Sequence, residues 1–339
     1  MNANYRASLI ALLIIVLSGA TPAWSSTDEL QALKDAYRRP KTIPFPPDNP
    51  YTIEKAALGK ALFFEARLSR DNNLSCASCH NPSFGWQVPF AKAIGAGGRP
   101  LARKSQTTIN HAWSSSLFWD GRASRLEVQG RGPIEAPDEM DMPMGKAVEK
   151  LGAIEGYRQA FIRAFPGKGL TEETILQALS TFERATVSGD TPFDRWVRGD
   201  EKAISPAAMR GFIAFNGKAR CATCHSGWNF TDNKFHDIGI ETKDQGRFGV
   251  TGKNSDRHAM RTQGLREITA RAPYMHDGSI PTLQAVIDHY VLGGVERPSR
   301  SPQMEPLKLS QEDIDDLIAF LHTLGSPNVM VPLPNLPVR

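Results

Sequence analysis

Two five-residue stretches carry the chemistry of covalent haem attachment: Cys76-Ala77-Ser78-Cys79-His80 and Cys221-Ala222-Thr223-Cys224-His225. In a C-x-x-C-H motif both thiols add to the porphyrin as thioethers, and the histidine becomes an axial iron ligand. All four cysteines of the chain lie in these two motifs. The competing readings are a zinc site and a redox pair. Zinc demands four N/S ligands in a closed tetrahedron, whereas each motif supplies three and no further cysteine exists. A thioredoxin-like pair sits in a βαβ context, which neither motif has. The pattern predicts two covalently bound haem c groups, one on Cys76, Cys79 and His80, the other on Cys221, Cys224 and His225.

A chain with two such haems moves electrons, and bacteria attach haem c on the periplasmic side. The N-terminus agrees. Residues 1–25 read as a signal peptide: Arg6 gives a positive start, Leu9 to Leu17 is an apolar run too short to span a bilayer, and Thr21, Ala23 and Ser25 suit a cleavage site. The competing reading is a membrane anchor. No other apolar run is long enough to span, so a periplasmic protein without stable membrane insertion is expected. The net charge of +4 is mild. No dense Lys/Arg block and no nucleic-acid motif occurs, so nucleic acid is excluded as a partner.

The elements that must hold the motifs are helices. Apolar residues recur at helical spacing, and strand signals are poor. One amphipathic helix is expected over Ala56 to Phe64, ahead of the first motif, and another over Ala207 to Phe215, ahead of the second. Gly59-Lys60-Ala61-Leu62-Phe63 and Gly211-Phe212-Ile213-Ala214-Phe215 resemble one another, which suggests a duplicated haem-binding unit. Thr171 to Ser188 and Ser310 to Leu324 are further helices. Thr171 and Ser310 can cap them, acidic residues open them, and Gly325 stops the second. Pro133 to Met144 has no period and reads as an ordered loop over a site. The fold class expected is all-α, with two cytochrome c-like domains. The divisions are 26–200, holding the first haem, and 201–339, holding the second.

With these parts in place the chain resembles the bacterial di-haem cytochrome c peroxidase and MauG family. The resemblance rests on Asn110-His111-Ala112, Phe118-Trp119-Asp120-Gly121-Arg122-Ala123, Leu126-Glu127 and Glu139-Met140. In the second half it rests on Ala272-Pro273-Tyr274-Met275-His276-Asp277-Gly278-Ser279 with Thr282-Leu283. It implies an enzyme that uses hydrogen peroxide to form a high-valent di-haem state, which then oxidises the side chains of a partner protein. Two alternatives stay open. One is a cytochrome c peroxidase fed by a small redox protein, and the other is a non-enzymatic electron carrier with both irons six-coordinate.

The resemblance also assigns roles. Peroxidases of the family cap the first haem with a histidine in a Gly-His-Gly stretch. Here the stretch is Gly95-Ala96-Gly97, and alanine cannot ligate iron. The second haem takes Tyr290 as its distal ligand, with His289 and Met275 as the competing candidates. His276 is expected as a hydrogen-bond donor at a haem edge. Trp119 lies between the haems as a relay for oxidising equivalents. Glu139 is the general acid–base, with Gln129 and Pro133 beside it. A calcium ion is implied between the domains at Ser105, Arg271 and Pro273. The family's exit tryptophan is replaced by Ala219 and Arg220, leaving Trp228 or Trp196 as substitutes.

Overall fold

The computed structural model describes residues 26–327 and 331–338. The expected signal peptide, residues 1–25, lies outside them. The helices are α1 (Ser26–Asp35), α2 (Ile53–Phe63), α3 (Cys76–Cys79), α4 (Leu126–Gln129), α5 (Arg131–Glu135), α6 (Met144–Gly152) and α7 (Glu155–Ala164). They continue as α8 (Glu172–Ala185), α9 (Pro192–Val197), α10 (Pro206–Asn216), α11 (Phe248–Thr251), α12 (Leu283–Leu292) and α13 (Gln311–His322). Among the described residues the one sheet is a two-stranded antiparallel ladder of β1 (Phe235–His236) and β2 (Met260–Arg261). The all-α expectation holds.

The helix ends follow their capping chemistry. Thr171 Oγ1 accepts the Thr174 N–H at 3.1 Å, and Thr174 Oγ1 accepts the Thr171 N–H at 2.8 Å, fixing the start of α8. Ser310 and Asp313 make the same reciprocal pair at the start of α13, at 3.2 and 3.0 Å. Each pair satisfies two backbone donors that a helix start leaves orphaned.

Two cores form, each around a pair of crossed helices. In the first, α2 crosses α8. A methyl on Gly59 would sit 1.9 Å from the Ala178 carbonyl oxygen, so only glycine permits the approach. In the second, α10 crosses α13, and a methyl on Gly211 would likewise sit 1.9 Å from the Asp316 carbonyl oxygen. The repeat visible in the sequence is therefore a repeated packing solution. Phe63 and Phe182 meet in the first core at 5.2 Å between ring centres, and Phe215 and Phe320 do so in the second, also at 5.2 Å.

Packing crosses the expected division between 26–200 and 201–339. Leu30 and Leu33 of α1, Tyr37, and Phe193 and Trp196 of α9 all pack in the second core. Val331 packs against the first, and the Pro337 carbonyl accepts a hydrogen bond from Arg67 at 2.9 Å. The physical reason is burial: Tyr37 packs edge-on to Phe212 at 5.2 Å, inside an aromatic cluster that an isolated 201–339 segment would leave open.

Pro133 to Met144 also differs from the expected loop. Its first residues belong to α5, where Pro133 lies in the first turn and lacks an N–H that would be unpaired there anyway. The rest is a loop sealed by Met140 N–H to the Pro133 carbonyl at 3.1 Å and Met142 N–H to the Ile134 carbonyl at 2.8 Å.

Candidate haem sites

Each motif histidine is oriented by its own backbone surroundings. His80 Nδ1 lies 2.8 Å from the Gln106 carbonyl, and His225 Nδ1 lies 2.9 Å from that of Phe230. A carbonyl only accepts, so Nδ1 carries the proton in both rings and Nε2 keeps its lone pair. Burial pushes both imidazoles below their ordinary range, keeping them neutral. A neutral imidazole with a fixed tautomer is what an axial iron ligand requires.

The second motif opens on a cavity of ≈ 240 Å3 lined by Cys221, Cys224, His225 and Tyr290. Two guanidiniums, Arg261 and Arg271, border it, each 3 % exposed and each with an unpaired Nε. Neither forms an ion pair with a carboxylate among the described residues. Buried cations of this kind call for an anionic guest. A haem c, with two propionates and two thioether links, meets that demand, and all four cysteines are free to form the links. The residues present fit the group.

Tyr290 lies on α12, borders the cavity, and nothing among the described residues hydrogen-bonds to its hydroxyl. Burial raises its phenol well above the usual range. His289, the neighbouring candidate, donates from Nε2 to the Ile238 carbonyl at 2.8 Å and does not border the cavity. Met275 does border it. His276 also lines the wall, with Nε2 buried and unpaired, as a hydrogen-bond donor to a guest would be.

Trp119 stands on the wall of the same cavity and donates its indole N–H to the Lys104 carbonyl at 2.8 Å. Two residues further along the chain, Gln106 holds His80. The segment 104–106 therefore touches the first motif histidine at one end and the second cavity at the other.

Around the first motif, α4, α5 and the loop after them supply Gln129, Pro133 and Glu139. Gln129 ends α4, half-buried, with no hydrogen bond to its side chain among the described residues. The Glu139 carboxyl is pushed above its ordinary range by burial, then by Asp138, and its charge acts on both Cys76 and Cys79. The Glu139 carbonyl accepts the Ala96 N–H at 2.8 Å. Gly95 is pressed so close to the Asp138 carbonyl that a methyl there would lie 1.9 Å away. Ala96 is 5 % exposed. The 95–99 excursion is thus fastened onto the acid-bearing loop and offers no donor for iron. A residue the sequence reading missed is Glu183 on α8. Burial pushes its carboxyl up to about 7, and its charge also acts on Cys76.

The donor set expected for calcium, Ser105, Arg271 and Pro273, is poor in negative charge. Ser105 Oγ is buried and unpaired, but it is neutral, and the charge beside it is already positive. Lys104 is lowered to about 8 by burial and then by the Arg271 guanidinium. No carboxylate among the described residues pairs with it. Calcium takes six to eight oxygens, carboxylates prominent among them, and Ser105, Arg271 and Pro273 offer one hydroxyl and main-chain carbonyls between two cations. Of the exit candidates, Trp196 is buried and donates to Glu201 at 3.0 Å. Trp228 is half-buried and meets Trp113 edge-on at 4.7 Å.

Residues 53–202 match the family model for di-haem cytochrome c peroxidase, and residues 208–325 match that for cytochrome c. The chain is similar to the methylamine utilization protein MauG of Methylorubrum extorquens, 47% identical and covering 96% of this chain and 94% of that protein. It is similar to the protein of the same name from Methylophilus methylotrophus, 43% identical over 97% of this chain and 98% of that one. A crystal structure of a MauG-like protein associated with microbial copper homeostasis superposes with a TM-score of 0.79 at 31% identity, covering 85% of this chain and 94% of the other.

Proposed function

The chain belongs to the di-haem cytochrome c peroxidase and MauG family of haem-dependent oxidoreductases, and from that premise we propose that it uses hydrogen peroxide to oxidise side chains of a partner protein in the periplasm. The observation that carries this reading is the 95–99 excursion. Residue 96 in it is alanine, its backbone is bonded to the Glu139 loop, and no side chain from 95 to 99 offers a ligand for the iron of a haem on the first motif. The protein then needs no prior reduction to admit peroxide. That separates this reading from a peroxidase driven by a small redox donor, and from a carrier with both irons closed.

The two haems supply peroxide activation and storage of oxidising equivalents when bound. The chain does the rest. His80 and His225 donate Nδ1–H to carbonyls and keep Nε2 for iron. Glu139 takes a proton and returns it, with Gln129 and Pro133 shaping the same wall. Tyr290 borders the second cavity and would hold the second haem through its phenol oxygen, a donor that would lower the potential. Trp119, on the wall of the second cavity and bonded to the segment that holds His80, would relay oxidising equivalents, so that the partner protein need not reach the peroxide. No helix among the described residues is long and apolar enough to cross a membrane.

Electron paramagnetic resonance of the resting ferric holoprotein tests the reading. We expect a high-spin and a low-spin signal together, both lost on adding equimolar hydrogen peroxide and slow to return without a donor. Ala96→His should remove the high-spin signal until the protein is reduced. Tyr290→Phe should shorten the life of the oxidised protein by an order of magnitude or more. A resting protein that is wholly low-spin, or one that turns over peroxide rapidly with reduced cytochrome c, overturns it.

A further inference from the structure

Lys104 is 3 % exposed, yet it carries an ammonium with no carboxylate partner among the described residues. Its Nζ donates to the Val88 carbonyl at 2.8 Å and to the Phe90 carbonyl at 3.0 Å. Its own N–H donates to the His276 carbonyl at 2.7 Å, and its own carbonyl accepts the Trp119 indole N–H at 2.8 Å. One residue thereby fastens the 88–90 strap, the tryptophan between the two sites, and the turn that carries His276. The strap is itself wedged against the second half of the chain. A methyl on Gly278 would lie 2.4 Å from the Ala91 Cα, and one on Gly85 would lie 2.7 Å from Arg271 Cγ.

Carbonyl oxygens pointing at one buried spot, with the unpaired Ser105 hydroxyl next along the chain, make an environment for a hard cation. The cation present is covalent. We propose that the Lys104 ammonium takes the place of a calcium ion at the junction between the two cores. Its N–H donors satisfy the Val88 and Phe90 carbonyls, and its charge repels any divalent ion from the Ser105 oxygen. Lys104 is a positioning residue: it holds Trp119 and His276 against the second cavity and touches neither peroxide nor partner.

The inference is tested on the haem-loaded protein by metal analysis, thermal melting and electron paramagnetic resonance, with and without a calcium chelator or millimolar calcium. The wild type should contain no stoichiometric calcium, and neither treatment should move its melting temperature or its low-spin signal. Lys104→Arg should behave likewise. Lys104→Asn puts a neutral amide oxygen where the ammonium was. It should melt lower and show a shifted low-spin signal, and calcium should restore both. One calcium per chain in the dialysed wild type, or a chelator effect on it, overturns the inference. So does a Lys104→Asn protein that matches the wild type without calcium. Should that variant fail to accumulate, the wild-type calcium content and chelator response decide the matter.

Discussion

Glu139 and Glu183 are both held above the ordinary carboxylate range by burial, and both act on Cys76. Their settings differ. Glu139 sits on the loop that closes over the first motif, whereas Glu183 sits within α8 and makes no side-chain hydrogen bond among the described residues. A general base works in its ionised form, so the reaction with peroxide should slow as pH falls through the raised Glu139 value. Glu139→Gln should lower the rate by roughly 10²–10⁴-fold and flatten that pH profile, measured by stopped-flow absorbance. A variant that keeps both rate and profile removes Glu139 from the chemistry. Glu139 was legible because Glu139-Met140 belongs to a recognisable motif. Glu183 was not: helical periodicity predicts the helix but does not say which polar side chain turns inward.

At the level of elements, α12 shows why a ligand is harder to read than a helix. His289 and Tyr290 are adjacent, so they leave the helix about 100° apart and cannot serve the same site. The sequence alone leaves both open, with Met275. In the fold His289 turns to the Ile238 carbonyl, and Tyr290 faces the cavity. The glycine repeat was legible as a repeat, but its meaning needed the partner helix. Gly59 and Gly211 each face a carbonyl oxygen of a helix more than a hundred residues away in sequence. Gly59→Ala and Gly211→Ala should each cost about 3 kcal/mol, because the obstacle is backbone and cannot rotate aside. Urea melts of the two variants check this, and a loss under about 1 kcal/mol would mean that the helices slide apart freely.

For the molecule as a whole, acid stability has an identifiable source. Glu127 lies at the meeting of α4 and α8, where Arg184 donates to its two oxygens at 2.5 and 2.8 Å, Asn49 to one at 3.0 Å and Arg125 to the other at 3.0 Å. Burial opposes the charge, but Arg184, Asn49 and Arg125 hold the carboxyl down to about 2, against 4.5 when unfolded. A depressed carboxyl stabilises the fold fully above its unfolded value, and the contribution is lost as pH falls from 4.5 toward about 2. Glu127→Gln should therefore cost about 3 kcal/mol near neutral pH and progressively less in acid, as seen in melts across that range. An equal cost at every pH would assign the loss to packing instead. The mild net charge, by contrast, gave no hint of this pair, since composition does not record which charges meet.

The exchange of ends between the two cores makes each depend on the other. α1 waits for α10 and α13 to give it a surface, and the first core gains Val331 and the clasp on Pro337 only when the last residues arrive. Neither core is fully covered until a segment from the far side of the division has packed on it, so damage to one half of the chain exposes apolar surface in the other.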